Sequence, residues 1–532
     1  MSATDTLTSG GSGAAAGPAA ADRIDPRRLV AFLAMCVGMF MAFLDIQIVS
    51  ASLSEIQAGL AASADEISWV QTSYLIAEVI SIPLSGYLSR ALGTRLMFAI
   101  SAAGFTFASL MCGLTTSMEQ MIFWRAVQGF IGGGMIPTVF ASTYLIFPRS
   151  KMPIIVPMIG LIATLAPTVG PTIGGYLTDA LSWHWLFFIN IIPGIAVTFA
   201  TFTLIDFDQP DFSLFRNFDW AGLLLMAAFL GSLEYVLEEG PRNDWLDDDV
   251  IFAFAAVSAA AAVGFFWRAL TARQPIVDLR AFADRNFALG SMFSFVLGVG
   301  LYGLTYLYPL YLAQIRGYDA LMIGETMFVS GAAMFLSAPI VGRLMDKVDL
   351  RLLLLFGFLT FAAGSWQLTY LTKDYDFWEL FVPQILRGVG LMFSMVPVTN
   401  LALGTLAPER LKNASGLFNL TRNLGGAVGL ALLNTILNHR IDLHLARLHE
   451  AVTWGRGPAE ETLANMTARF SGYGLDAHAM ALKQLMQFTR MQGTVMAFGD
   501  VFMVVAVLFA AFGAMVLVTR RPPAAALAET GH

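Results

Sequence analysis

The sequence predicts an all-α membrane protein whose helices cross the bilayer many times. Of its 532 residues, 57% are hydrophobic and only 13% are charged, whereas soluble domains carry about 25% charged residues. Apolar runs long enough to cross a bilayer core, about 20 residues each, recur along the chain. The net charge of −7 gives no sign of a basic surface for nucleic acid. We therefore expect the lipid bilayer as the protein's surroundings and no nucleic-acid partner.

The apolar runs predict fourteen spans. The first run ends in small residues, as a signal peptide does, but it is about twice as long as the apolar part of such a peptide and contains Asp45. We therefore interpret it as a retained helix. The predicted spans are 29–53, 71–89, 96–115, 119–142, 153–177, 186–205, 219–238, 250–269, 288–313, 321–342, 351–371, 379–402, 413–436 and 499–519.

Basic residues in the connections predict the orientation of the spans. With the N-terminus inside, the predicted cytoplasmic connections hold nineteen Lys and Arg residues, and the short outer loops hold three. Such a bias places both termini in the cytoplasm. We expect a multi-pass protein of the inner (cytoplasmic) membrane.

An internal repeat divides the chain into two halves. The stretch 82–98 resembles the stretch 338–354, and RAVQG at 125–129 resembles QILRG at 384–388. Parallel repeats are typical of transporters whose substrate path lies between the halves. The predicted organisation is a disordered tail (1–28), a six-helix bundle (29–205), two inserted helices with linkers (206–287), a second six-helix bundle (288–519) and a cytoplasmic tail (520–532).

A long polar segment, 437–498, interrupts the second bundle, and we expect it to lie outside as a partly helical loop. It holds four of the six His residues, but their spacing matches no standard zinc pattern. We predict no metal site.

Three charged residues lie deep inside predicted spans and are candidates for proton coupling: Asp45, Glu78 and Arg125. Charges at that depth are costly and usually functional. Burial favours a neutral carboxyl and a nearby guanidinium favours a charged one, so the competition can produce a proton carrier near neutral pH. The alternative is a static ion pair that only positions helices.

The fifth predicted span contains APTVGPTIGGYL at 166–177, which is rich in residues that weaken helices. Glycines spaced by three and four residues let helices approach closely, and prolines bend a helix. This pattern predicts a bent seam that closes one side of a pathway, or a tight helix interface with no role in transport. The seam residues are Pro167, Gly170, Pro171, Gly174 and Gly175.

Several motifs together resemble one family. The seam resembles the antiporter signature of the major facilitator superfamily, and WHWLFFINIIPG at 183–194 is similar to a segment of its drug exporters. LDIQIVSASL at 44–53 resembles the first-helix signature of the fourteen-helix drug:proton antiporters, and RAVQG matches the fourth-helix arginine motif. PIVDLRAFADRNF at 275–287 and the long outer segment are similar to those of EmrB-type members. The resemblance covers about residues 29–520.

The resemblance implies conformational latches in the loops after the second span of each half. The family loop usually carries an acidic residue, but Arg90 stands at that position, so the first latch departs from the pattern. The repeat copy keeps the acid as Asp346. The predicted gating residues are Gly86, Arg90, Gly93, Arg95, Gly342, Asp346 and Arg351.

Together these features predict a secondary exporter in which proton entry drives efflux of small hydrophobic or amphipathic compounds, without a cofactor. The resemblance also implies a periplasmic adaptor protein and an outer-membrane channel as partners. One specific metabolite, such as a fatty acid or siderophore, is the alternative substrate. An enzyme is disfavoured because no predicted span contains His, and a receptor because the inner loops are too short for a signalling domain. Predicted cavity residues are Gln47, Tyr74, Gln128, Tyr302, Tyr306, Gln384, Asn400, Asn419 and Arg422.

Overall fold

The computed structural model describes residues 25–63, 66–345 and 347–517. Within these ranges the chain forms seventeen α-helices and no strand. The helices are α1 (Pro26–Ala51), α2 (Leu53–Leu60), α3 (Trp69–Gly113), α4 (Met118–Gly132), α5 (Met135–Ile146), α6 (Met152–Ala180), α7 (Trp185–Phe188), α8 (Ile191–Leu204), α9 (Trp220–Glu239), α10 (Asp249–Thr271), α11 (Arg285–Tyr311), α12 (Ala320–Met345), α13 (Leu350–Gln367), α14 (Phe377–Leu403), α15 (Pro408–Ala451), α16 (Gly457–Arg469) and α17 (Ala477–Val516).

Eleven helical stretches of the described residues are long and apolar enough to cross a membrane. The all-helical, multi-pass architecture is therefore confirmed, and the count of fourteen spans stays a prediction. Helix α3 has 45 residues, or about 68 Å at 1.5 Å per residue, roughly twice a bilayer core. Its two parts meet at Gly93, whose φ of 76° and ψ of 156° lie outside the helical region. This break falls between the predicted spans 71–89 and 96–115.

Two bundles pack side by side. We call α1 to α8 the N-half and α11 to α17 the C-half. Helix α6 of the N-half packs along α12 of the C-half, and α3 and α5 pack against α15. We call the end of the bundle that holds Arg90, Arg268 and Lys412 the basic end.

The two inserted helices lie at the edge of the bundle. Helix α10 packs against α9, and α9 packs against α3 and α15. Asp219 caps the start of α9 through the Gly222 amide (3.0 Å) and also pairs with Arg268 of α10 (2.9 Å). Large apolar side chains of α10, such as Phe252 and Trp267, are exposed and suit contact with lipid.

The last two long helices extend beyond the predicted spans. Helix α15 continues to Ala451 and α17 begins at Ala477, so most of the segment 437–498 is helical. His444 of α15 lies 2.7 Å from Asp500 of α17 through Nε2, and this contact ties the extension of α15 to the start of the last predicted span. The predicted tails 1–28 and 520–532 lie almost wholly outside the described residues, which begin at residue 25 and end at residue 517.

Candidate functional site

Asp45 lies at the centre of a buried polar network in the N-half. Its carboxylate is fully buried and accepts hydrogen bonds from three side chains. Arg125 donates at 2.6 Å, Gln128 at 3.0 Å and Asn190 at 2.8 Å. These contacts join α1 and α4 to the connection between α7 and α8. Charge-assisted bonds of this kind are among the stronger polar contacts in proteins.

Arg125 extends the network to α3. Its Nε donates to the Val70 carbonyl at 3.0 Å, and its Nη1 also donates to Gln128 at 2.7 Å. The guanidinium lies 4.2 Å from the centre of the Tyr74 ring, a favourable cation–π geometry. Gln128 donates onward to Ser109 at 2.7 Å. The predicted pair Asp45–Arg125 is thus brought together.

Asn190 and Ser109 were not among the predicted site residues. Asn190 stands inside the 183–194 segment that carried the family resemblance, yet the segment was used only as a motif. An amide within an apolar run was the available signal, because buried polar groups need partners. Ser109 gave no such signal, since serine is common in membrane helices.

The C-half contains a related network without a carboxylate among its described partners. Arg387 of α14 donates to the Thr305 hydroxyl of α11 at 3.0 Å and to Gln384 at 3.3 Å. Its guanidinium lies 5.2 Å from the centre of the Tyr308 ring. The arginine of each half therefore reaches the first helix of its own half, but only the N-half arginine meets a charged partner there. The fully buried pair of an arginine with a carboxylate is therefore in the N-half among the described residues.

A cavity of about 340 Å³ lies between the two halves, away from the basic end. Its walls come from α1, α3, α6, α9, α11, α12 and α15 and from the turn after α11. The described residues that line it are Ile46, Gln47, Ser50, Gln71, Leu75, Glu78, Val79, Pro171, Glu234, Glu238, Tyr302, Thr305, Tyr306, Pro309, Leu310, Ala313, Ile323, Asn423, Gly426, Ala427 and Leu430.

Three predicted cavity residues line this space: Gln47, Tyr302 and Tyr306. The other six do not, and the prediction is corrected for this conformation. Five of them make hydrogen bonds or cation–π contacts to neighbouring side chains, and the sixth, Asn400, lies in the last turn of α14, where its backbone carbonyl accepts from the Gly404 amide. These residues are Tyr74, Gln128, Gln384, Asn400, Asn419 and Arg422.

Glu78 is the predicted coupling residue that faces the cavity. It is only 1% exposed, and its Oε1 has no hydrogen-bond partner among the described residues. It is bonded to neither Asp45 nor Arg125. The two carboxyls therefore differ: the Asp45 carboxylate is bonded to three donors, whereas Glu78 presents an unpaired oxygen beside the cavity.

The Gly- and Pro-rich stretch of α6 packs closely against α1. A Cβ on Gly170 would lie 2.5 Å from Gln47 Cβ, and a Cβ on Gly174 would lie 2.9 Å from the Ile48 carbonyl oxygen. Pro171 lines the cavity. Gly175 accepts a hydrogen bond from the Thr178 hydroxyl at 3.0 Å, and the side chain of Pro167 lies outside the described part. The seam thus lies directly beside the helix that carries Asp45.

At the basic end, Gly86 and Gly93 lie at close approaches. A Cβ on Gly86 would lie 2.7 Å from the Lys412 carbonyl oxygen of α15, and one on Gly93 would lie 3.2 Å from the Pro210 nitrogen. The guanidinium of Arg90 lies over the Tyr87 ring at 5.6 Å. That of Arg95 lies over the Phe202 ring at 4.6 Å. Neither arginine reaches the C-half through a described ion pair.

An acidic residue that was not predicted lies at the basic end, where Arg90 stands at the position of the usual acidic residue. Asp208, in the linker after α8, accepts hydrogen bonds from the Thr94 amide at 2.9 Å and the Thr94 hydroxyl at 2.7 Å. It also pairs with Lys412 of the C-half. Lys412 donates in addition to the Ser89 carbonyl at 2.9 Å. The linker thereby supplies an ion pair between the halves, which sequence position alone did not indicate.

The predicted gating residues of the C-half are Gly342, Asp346 and Arg351. Gly342 of α12 lies against the Pro153 carbonyl of α6, so it too is at a contact between the halves. Arg351 is half-buried, and its Nε and one Nη have no partner among the described residues. Asp346 lies outside the described residues. Within the described ranges no cluster of three or more His, Cys, Asp or Glu side chains could hold a metal ion.

Comparison with protein families decides the classification. The model of the Major Facilitator Superfamily matches residues 35–430. The chain belongs to the major facilitator superfamily. This superfamily consists of membrane transporters, in agreement with the two packed halves and the cavity between them.

Similar proteins show to which group of the superfamily the chain belongs. The chain is 42% identical to the "Colistin resistance protein EmrB" of Acinetobacter baumannii, over 90% of this chain and 93% of that protein. It is 31% identical to the "Multidrug export protein EmrB" of Escherichia coli strain K12, over 90% and 92%. It is 30% identical to the "Fatty acid resistance protein FarB" of Neisseria gonorrhoeae, over 90% and 93%. These matches confirm the predicted EmrB-type drug:proton antiporter group.

A solved structure of the superfamily shows the same fold. The human organic anion transporter MFSD10 (TETRAN) superposes with a TM-score of 0.57, covering 91% of this chain and 100% of its own, at 12% identity. At that identity the likeness concerns the fold alone.

Proposed function

We propose that the protein is a proton-coupled exporter of hydrophobic and amphipathic compounds across the inner membrane, with both termini in the cytoplasm. The names of its relatives support multidrug-type export. A cavity of about 340 Å³ with mostly apolar walls is of a size that suits a small organic substrate. The proton gradient is the energy source, and the proposal includes no cofactor.

The observation that carries the proposal is the buried charge network beside the cavity. Asp45 immediately precedes Ile46 and Gln47, which line the cavity. Proton binding to Asp45 would remove the charge that Arg125 pairs with and would loosen the tie between α1 and α4. A buried ion pair that loses one charge leaves the other uncompensated, at a cost of about 3–5 kcal/mol. Such a cost is large enough to shift α1 and change the cavity wall.

In this proposal Asp45 binds the coupling proton and Glu78 is a second proton site. Arg125 adjusts the proton affinity of Asp45. The seam of α6 closes one side of the path as the halves rock. Asp208 and Lys412 hold the basic end closed in the present conformation. Because the cavity lies away from the basic end, this conformation corresponds to one open toward the outside.

We also propose a periplasmic adaptor and an outer-membrane channel as partners. The extended helices α15 and α17, joined by α16, project beyond the predicted spans and would meet an adaptor outside the membrane. Trp454 and Met486 are among the exposed apolar side chains of this projection, and they suit a protein contact.

A single-metabolite exporter is the second candidate. The relative named for fatty acid resistance favours it. The acidic lining of the cavity favours it less, since Glu78, Glu234 and Glu238 would repel a carboxylate substrate.

Vesicle transport tests the proposed function. The full chain is reconstituted, a pH gradient is imposed and uptake of a panel of fluorescent amphiphiles is followed together with lumenal pH. We expect gradient-driven transport by the parent. We expect Asp45→Asn to lose gradient-driven transport but to keep exchange of substrate without a gradient. Asp206→Asn, an exposed carboxylate near the basic end, is the matched control.

Two results would contradict the proposal. If the parent transports no compound of the panel under either direction of the gradient, proton-coupled export is contradicted. If Asp45→Asn transports as fast as the parent, Asp45 does not carry the coupling proton.

A further inference from the structure

The inserted helix α9 forms part of the cavity wall. Gly231 of α9 lets the helix approach α3, since a Cβ there would lie 3.3 Å from Ile80 and 3.4 Å from Ile76. About one and two turns further on, Glu234 and Glu238 line the cavity. Residues four apart lie on one face of a helix, so both carboxyls point the same way. The inserted helix α9 is therefore more than a lipid-facing addition.

The cavity wall carries three carboxyls and no basic residue among the described residues that line it. Glu234 is only 5% exposed, Glu238 is half-buried and Glu78 is 1% exposed. Glu234 lies close enough to Glu78 and Glu238 for electrostatic repulsion. An unpartnered buried oxygen, Glu78 Oε1, faces the same space. Buried charges of one sign call for a compensating charge.

Nearby arginines are engaged elsewhere. Arg125 lies within electrostatic range of Glu78 but is bonded to Asp45 at 2.6 Å. Arg422 donates to Asn419, and its guanidinium lies 5.0 Å from the centre of the Phe140 ring. The compensating charge for the glutamates must therefore come from protons or from a bound ligand.

The remaining walls suit an organic cation. Tyr302 and Tyr306 face the same cavity, and aromatic rings attract cations. Apolar residues from α11, α12 and α15 provide most of the other surface. A metal ion would gain little from these aromatic and apolar walls. A cation with a hydrophobic body would contact both the carboxyls and the apolar walls.

We propose that Glu78 of α3 and Glu234 of α9 form a binding site for the positive group of a lipophilic organic cation, with Glu238 at its rim. The site makes an inserted helix a determinant of substrate charge. This inference rests on the proposed export function, because it names the substrate class of the same cavity.

Binding of two hydrophobic ions of similar shape and opposite charge tests the site. Tetraphenylphosphonium and tetraphenylborate are titrated into purified full-length protein in lipid nanodiscs. We expect the parent to bind the cation more tightly than the anion. We expect Glu234→Gln to weaken binding of the cation by about tenfold or more, the loss of one charge-assisted contact, without weakening binding of the anion.

Two further variants keep the test decisive. Glu239→Gln changes the next residue, which is buried and accepts a hydrogen bond from Thr72 at 3.3 Å but does not line the cavity. It should bind the cation as the parent does. Glu234→Asp keeps the charge and should retain more affinity than Glu234→Gln at the same melting temperature. A parent that binds the anion better, or equal binding of the cation by parent and Glu234→Gln, would overturn the proposal.

The vesicle assay separates the two ideas. Glutamate-dependent binding of the cation without any gradient-driven transport would overturn the export function and leave the binding site intact. Gradient-driven transport of neutral dyes, with no binding of the cation, would overturn this inference and leave export intact.

Discussion

The ion pair between Asp208 and Lys412 should hold the basic end of the transporter closed, and Asp208→Asn should open it. Asp208 lies in the linker after α8, where it is bonded to Thr94 of the N-half, and Lys412 lies near the start of α15, on the C-half. Their side chains are 16% and 12% exposed, so the pair is mostly shielded from water. Asparagine keeps the shape and an acceptor for Thr94 but removes the charge that faces Lys412.

The size of the effect follows from these contacts. A hydrogen bond to a charged group contributes about 1.5–3 kcal/mol, which is less than the cost of breaking a fully buried pair. Since about 1.4 kcal/mol corresponds to tenfold, the variant should shift the balance between closed and open basic ends by roughly 10- to 100-fold. A shift of that size changes the populations visibly unless the closed form is overwhelmingly favoured.

Spin labels report the opening directly. Cysteines replacing Ser150 and Arg410, exposed residues at the basic end of the two halves, carry the labels, because the native Cys36 and Cys112 are buried. Double electron–electron resonance should show one shorter distance in the parent and a larger population at longer distance in Asp208→Asn. The control is Asp206→Asn, whose partners Arg27 and Arg28 belong to the N-half.

The reasoning would be refuted by unchanged distances in Asp208→Asn at the parent's melting temperature. It would also be refuted if Asp206→Asn opened the basic end equally, because the effect would then not depend on the link between the halves.

Three further changes test the account. Asp45→Asn should lower the thermal stability of the purified protein, by up to about 3–5 kcal/mol for a broken buried pair, and unchanged melting would mean that Arg125 finds other partners. Gly86→Ala should widen the basic end in the same label experiment, because its new carbon would lie 2.7 Å from the Lys412 carbonyl oxygen; no widening would show that the helices yield there. His444→Gln should raise amide hydrogen exchange in the extension of α15 while leaving vesicle transport unchanged, and unaltered exchange would exclude the contact with α17 as a stabilising tie.

The sequence predicted most of the fold because membrane helices leave a strong signal. Long apolar runs, basic connections and the repeated Pro, Gly and Arg positions indicated two related helical bundles. Gly93 was less clear, since its loop appeared only as a motif, and the structure uses its positive φ to turn the chain between two spans. The segment 437–498 was predicted as a partly helical loop, and the length of the extensions of α15 and α17 was not predicted, because their polar composition resembles that of a loop.

The site was predicted in part. Buried charges are conspicuous in an apolar chain, so Asp45, Glu78 and Arg125 were found, and Asp45 and Arg125 proved to be direct partners. The sequence pattern does not determine how the helices pack, so it does not show which face of each helix lines the cavity. Gln128 therefore proved to be a partner of Asp45 and not part of the cavity lining, while Glu234, which lines the cavity, was not among the predicted site residues.

Asp208 shows a different limit. It lies in a linker, where acidic residues are ordinary, and its importance comes only from the linker's path past Thr94 and Lys412. Recognising it required three-dimensional proximity between residues that are about 200 positions apart in the chain.

Proton release on substrate binding tests the central claim most directly. Purified protein in weak buffer receives a compound that the vesicle assay shows to be transported, and the pH is recorded at several starting values between about 5 and 9, a range that covers shifted carboxyls. The account predicts that binding releases protons from the parent and that Asp45→Asn and Glu78→Gln release fewer. Binding with no proton release by the parent at any of these values would contradict it.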